Sequence, residues 1–219
     1  MTICVYKDNA LYADGRCTTS SGLLISDNYK KVGYIYEDVV TGVRSINKDS
    51  LENPELFAMY AFAGQLDHLQ KFLRWFVDQE FHPNIDIETD KSFDEISITV
   101  QEEVTLQAIV VFKNYDIVRE YTSTYEEHLY IDFTKDTFVM IGSGAISALA
   151  IYNSNPLIDP LLLIENVCKT SISCGGTISS VSLNDNKQHT TNLLKNNNNN
   201  NYIATKSIYN KIKCFFRIK

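Results

Sequence analysis

Over residues 65–80 the apolar side chains Leu66, Leu69, Leu73, Phe76 and Val77 recur at helical spacing and share one face. Nearly every other apolar run before residue 141 is short and strand-like, and this contrast constrains the fold more than any other feature. Residues 2–6 and 10–13 flank Lys7-Asp8-Asn9 and predict a hairpin. Residues 22–26 and 31–36 predict a second pair of strands around Asp27-Asn28. Residues 57–62 and 106–112 are continuous apolar runs, as buried strands are. Residues 96–100 and 129–133 alternate apolar with polar and predict half-buried strands, with another at 138–141. Two helices follow, over 143–152 and 159–169, the second entered through Pro160. Gly175-Gly176 then breaks the chain before a last strand at 178–183. Hairpins of strands with helices in separate blocks predict an α+β layered fold and fit a repeated βαβ unit poorly.

A chain of 219 residues, 44% hydrophobic, holds one domain with a sizeable core and is short for two. That domain is expected over residues 2–184. Residues 37–56 are polar, contain Pro54, and read as an insertion. Residues 185–219 read as an appended tail: six asparagines at 196–201 bury no apolar surface, which predicts disorder. The formal charge of −7 argues against nucleic-acid binding by the whole chain. It is unevenly spread, because the tail carries seven basic residues and only Asp185 as an acid. The five cysteines have neither CxxC spacing nor a histidine at a ligand-like distance, so free thiols in a reducing cytoplasm are expected, with no metal and no cofactor. Met1 is not followed by an apolar h-region. The long uncharged run at 137–158 is broken by Gly142, Gly144, Asn153, Asn155 and Pro156, which argues against a membrane span.

Four local features stand in order along the chain. Thr2 lies directly behind Met1. Ala13-Asp14-Gly15-Arg16 ends the first hairpin. Ser26-Asp27-Asn28-Tyr29-Lys30-Lys31-Val32 follows, and Ile141-Gly142-Ser143-Gly144-Ala145 joins a strand to a helix. Each has a plain reading when taken alone. Asp14 can cap a turn, Lys30 and Lys31 can be a solvated pair, and Ser143 can be a helix N-cap.

Together they resemble the proteasome β-subunit superfamily of N-terminal-nucleophile hydrolases, and within it the bacterial HslV-like peptidases and their short phage-encoded relatives. The resemblance covers roughly residues 2–184 and implies a four-layer αββα sandwich. It places Thr2 on the nucleophile, Asp14 on the acid, Lys31 on the active-site lysine and Ser143 on the serine near the threonine amine. Ala63-Gly64 falls on the pair whose Gly64 amide forms the oxyanion hole. The chain departs from the pattern at Gln65, where the family has a glycine, and at Ser171-Ile172-Ser173-Cys174-Gly175, which lacks an acid. The insertion at 37–56 is expected near the active-site rim.

The residue types suit the chemistry. A threonine hydroxyl needs a base, and an N-terminal amine with a pKa of roughly 7.7–8.0 can serve once Met1 is removed. A nearby lysine favours the deprotonated hydroxyl, and an aspartate orients that lysine. A backbone amide can hold the oxyanion, an effect worth about 3 kcal/mol. The resemblance further implies a threonine-type peptidase or amidohydrolase acting on polypeptide, a homo-oligomeric ring and an unfoldase ATPase partner. The competing expectation is a degenerate member that binds or scaffolds through the insertion or the tail.

Overall fold

Asp8 and Asn9 both take positive φ, 52° and 60°, and close a two-residue turn between β1 (Cys4–Lys7) and β2 (Ala10–Asp14). The computed structural model describes residues 2–19, 23–78, 105–123, 128–171, 174–184 and 188–192. The strand expected at 96–100 and most of the tail lie outside the described residues.

After the hairpin come β3 (Cys17–Thr18), β4 (Leu24–Ser26), β5 (Val32–Asp38), β6 (Arg44–Ser45) and β7 (Pro54–Gly64). Helix α1 (Leu66–Asp78) precedes β8 (Leu106–Phe112), β9 (Val118–Ser123), β10 (His128–Phe133) and β11 (Val139–Ile141). Helices α2 (Ala145–Ser154) and α3 (Pro160–Thr170) lead into β12 (Thr177–Ser182) and β13 (Gln188–Asn192). The result is a mixed α/β fold with antiparallel sheets. One sheet has the order β11-β1-β2-β12-β13 and the other β10-β9-β8-β7-β5-β6, while β3 and β4 form a small ribbon. Among the described residues no helix is long and apolar enough to cross a membrane.

Strand alternation sorts the core into three clusters. Cys4, Tyr6, Leu11 and Ile141 of the first sheet meet Val32, Met59, Ala61, Ile109 and Val111 of the second. The opposite face of β7 and β8, with Phe62, Val110 and Phe112, packs against Phe72, Leu73 and Phe76 of α1. The opposite face of β1, with Ile3 and Val5, packs against Ala148 of α2 and Leu163, Ile164 and Val167 of α3. Strands β7 and β8 are therefore covered on both sides, which is why apolar side chains fill both faces of residues 56–63 and, apart from Gln107, of Leu106–Phe112. Each such large side chain contributes about 1.5–3 kcal/mol on burial.

Three expectations are corrected. The strands expected at 22–26 and 31–36 do not form a pair where they are described: β4 pairs with β3, and β5 pairs with β6 and β7. The fold does not end at residue 184, because β13 pairs with residues 177–181 of β12. The inserted segment does not flank the site. Val32 pairs with Ala61 beside Lys31, whereas Asp38 pairs with Pro54 at the far end of β5. Six residues at about 3.3 Å each put the base of that hairpin about 20 Å from Val32, the neighbour of Lys31. It is held there by Asp38, which accepts from the backbone N–H groups of Val40, Thr41 and Asn53 at 3.0, 2.9 and 2.7 Å.

Candidate active site

Antiparallel pairing brings several chain segments to one end of the two sheets. Cys4 pairs with Ala13 and with Ile141, so Thr2 leaves β1 beside the end of β2 and the turn after β11. Ile178 pairs with Asp14, which adds the start of β12. Within the six-stranded sheet, Phe62 N donates to Lys31 O at 3.0 Å, setting Lys31 beside the end of β7.

Lys31 is 3% exposed and Asp14 is fully buried. The Lys31 ammonium donates to Thr2 Oγ1 at 2.7 Å, Asp14 Oδ1 at 3.0 Å and Arg16 O at 2.6 Å, which uses its three donors. Asp14 also accepts from Ile3 N at 3.0 Å through Oδ1, and from Arg16 N and Gly175 N at 3.3 and 3.0 Å through Oδ2. A turn cap makes one or two such bonds. Asp14 instead joins Thr2's neighbour, the lysine and the entrance to β12. Lys30 is exposed.

Ser143 does not cap α2. The N-cap is Gly144, with no side-chain bond. The Ser143 hydroxyl accepts from Thr2 N at 3.3 Å, and Gly144 N donates to Thr2 O at 3.1 Å. Thr2 is thus gripped on both sides of its Cα, with 8% of its surface exposed. Gly142, at φ 89°, makes this approach possible: a Cβ there would lie 2.3 Å from Thr2 O and 3.0 Å from Ala63 Cβ. Gly64 ends β7 at φ 137°, another left-handed position, one residue beyond Ala63. The five residues singled out from the sequence, Thr2, Asp14, Lys31, Gly64 and Ser143, therefore converge at one end of the sandwich.

Sequence reading left four participants without a role. Arg16 supplies the carbonyl that receives Lys31, and its guanidinium is anchored by Asp27, with Nε 2.7 Å from Oδ1. Gly175 supplies an N–H to Asp14. Gln107 reaches across the sandwich, where its Oε1 accepts from Gly142 N at 3.0 Å and fixes the turn that carries Ser143. A signal for Gln107 was present, since it is the single polar residue in the run Leu106–Phe112. Replacing it with leucine strands the Gly142 N–H, and a loss of about 1–3 kcal/mol is expected in urea unfolding. Gln107→Glu retains an acceptor and is expected to lose less.

Nearby thiols do not compete with the Thr2 hydroxyl. Burial pushes the Cys4 and Cys168 thiols well above the ordinary range, and the Cys4 Sγ–H is directed to Phe62 O at 3.1 Å. No disulfide forms among the described cysteines Cys4, Cys17, Cys168 and Cys174.

No family model matches the chain, and no curated protein matches it. Among solved structures, Anbu (ancestral beta-subunit) from Yersinia bercovieri is similar at 12% identity and a TM-score of 0.49, covering 100% of this chain and 97% of its own. Thiobacillus denitrificans BPH in complex with epoxomicin is similar at 14% identity and a TM-score of 0.47, covering 84% of this chain and 99% of its own. The chemistry of the site is therefore read from its own residues.

Proposed function

We propose that the chain is a threonine-type peptidase or amidohydrolase of the N-terminal-nucleophile kind, built as a four-layer αββα sandwich, with Thr2 as nucleophile. One observation carries this reading. A buried lysine is bonded at once to the Thr2 hydroxyl and to a buried aspartate, and neither a solvated lysine pair nor a turn cap calls for that arrangement.

Because Thr2 Oγ1 accepts from Lys31, its own proton is free to leave toward the Thr2 nitrogen. That nitrogen is a base only as a free amine, so Met1 and anything before it must first be removed. The amine takes the Oγ1 proton as Oγ1 adds to the substrate carbonyl carbon. Lys31 stabilises the developing alkoxide, and Gly64 N–H is assigned to the oxyanion. The amine then returns the proton to the leaving nitrogen, and a Thr2 ester remains. Water hydrolyses that ester, with the amine again as base. Ser143 and Asp14 keep amine and lysine oriented. A polypeptide substrate, a cytoplasmic setting, a ring of identical subunits and an unfoldase ATPase belong to the same reading.

A second reading keeps the fold and drops the chemistry. It draws on the 38–54 hairpin, where Val39, Val40, Val43 and Ile46 are all exposed far from the site and offer a partner an apolar contact.

Intact mass before and after treatment with an epoxyketone separates the two. The epoxyketone bonds to both hydroxyl and amine of an N-terminal threonine. The peptidase reading expects loss of Met1 and one adduct on Thr2, absent from Thr2→Ala. A protein that retains Met1 after exposure to methionine aminopeptidase, or a free Thr2 that stays unmodified, would overturn it.

A further inference from the structure

The inner face of the six-stranded sheet continues past the five-stranded one. β11, the edge of the smaller sheet, lies against β8, which leaves β9 and β10 beyond that edge. Side-chain alternation places Gln107, Thr122 and Leu129 in one row on this inner face, at the end nearest Gly142. Ile109, Glu120 and Ile131 form the next row, and Val111, Val118 and Phe133 the third. The third row is closed, with Val118 buried and Phe133 packed between the sheets. The first two rows are open: Leu129 is 41% exposed, and Thr122, Glu120 and Ile131 are half-buried. The result is a ledge that begins at the Gly142–Ser143 turn and runs outward from the site.

Glu120 is the single ionisable side chain on these three rows. Ile109 and Ile131 sit directly opposite it on the two neighbouring strands, within about 5 Å at Cβ. Burial beside them pushes its carboxyl up to about 7. Among the described residues it has no hydrogen bond or ion pair. Its neighbour Arg119 faces the other side of the sheet and is taken by Asp132 at 2.6 and 2.7 Å. A half-desolvated carboxyl without a cation is a costly feature of a folded surface, and a charged partner entering from solvent relieves that cost.

We infer that Glu120 receives a lysine or arginine side chain of a polypeptide bound at the Thr2 site, and so selects substrates that carry a basic residue near the scissile bond. This rests on the hydrolase reading above. Glu120 lies two strand spacings across from β7 and three residues along the strands from the Gly64 row, about 14 Å in all. An extended chain crosses that distance in about four residues. The basic residue is therefore expected within about four positions of the cleaved bond.

Cleavage of a peptide mixture, read by mass spectrometry, tests the preference. Lysine and arginine should be enriched at one position within four residues of the cut. For a matched pair of peptides with lysine or norleucine at that position, Glu120→Gln should lower the lysine-to-norleucine ratio of kcat/KM about tenfold, the size of one charge-assisted contact. Glu120→Lys should turn the preference toward glutamate. Cleavage without basic enrichment, or a ratio that Glu120→Gln leaves alone, overturns the inference. If no peptide is cleaved, the hydrolase reading fails separately. Binding of the same matched peptides to Thr2→Ala protein, by calorimetry, then decides on Glu120: tighter binding of the lysine peptide that Glu120→Gln abolishes supports it, and equal binding of the pair sinks it.

Discussion

Lys31→Ala is expected to slow modification of Thr2 by a threonine-directed electrophile about a thousandfold, measured as the rate of adduct growth by intact mass. The size follows from what the side chain does. Among the described residues its ammonium is the one cation on the Thr2 hydroxyl, at 2.7 Å, and it bridges that hydroxyl to Asp14. Without it the alkoxide forms beside a buried carboxylate, a like charge in a site of low dielectric. Arginine should restore little. The three acceptors converge on one nitrogen, and a planar guanidinium cannot place a single nitrogen among all three. Urea unfolding of the same variants separates lost chemistry from lost structure. A rate within tenfold of the parent in a folded Lys31→Ala protein would remove Lys31 from the mechanism.

Several parts of this arrangement were legible in the sequence, and for identifiable reasons. Strands β7 and β8 announce themselves because both faces are covered, so nearly every position is apolar. Helix α1 does so because one face only is covered. Helix α3 has Asp159 at its N-cap, accepting from Leu161 N and Leu162 N, with Pro160 behind it. β9 was not legible. Its Arg119-Glu120 pair breaks the apolar pattern of a strand, and tertiary pairing of Arg119 with Asp132, under Tyr130 at 4.0 Å, helps make a buried arginine tolerable. β13 was not legible either, because its Gln-His-Thr-Thr-Asn sequence lies on a sheet edge, with Gln188, His189, Thr190 and Thr191 exposed, and carries no apolar period. The inserted hairpin was assigned to the wrong end because chain distance from Lys31 says nothing about strand direction. β5 carries the chain away from the site before the hairpin begins.

The site shows the same division. The order of motifs named Thr2, Asp14, Lys31 and Ser143, but it could not exclude the plain alternatives. Lys30 and Lys31 are indistinguishable as residues. Both precede β5, and only the tertiary contacts of Lys31 with Thr2, Asp14 and Arg16 separate the buried second lysine from the exposed first. Gln107 and Asp27 act through a neighbour's backbone or side chain, and such contacts leave no motif.

Asp14 is expected to be the most costly residue of the site to replace. Asp14→Ala removes the acceptor for Ile3 N, Arg16 N and Gly175 N and strands a buried ammonium, so a loss of about 3–5 kcal/mol is expected in urea unfolding. Set against a total stability of about 5–15 kcal/mol, that is enough to leave part of the protein unfolded. Asp14→Asn is the sharper variant because it keeps the shape. All four groups around the carboxylate are donors, two on each oxygen, so an amide must present its own NH2 to two of them. It should therefore lose nearly as much as alanine, and Thr2 modification should fall with it. Asparagine within about 1 kcal/mol of the parent would mean that charge on Asp14 is not what the site uses. The double variant Asp14→Leu/Lys31→Met carries the argument one step further. It removes both buried charges together, so it should be more stable than Asp14→Ala while remaining inert toward the electrophile. That outcome would show the pair to be kept for the reaction at Thr2, since the fold alone would be better served by apolar side chains.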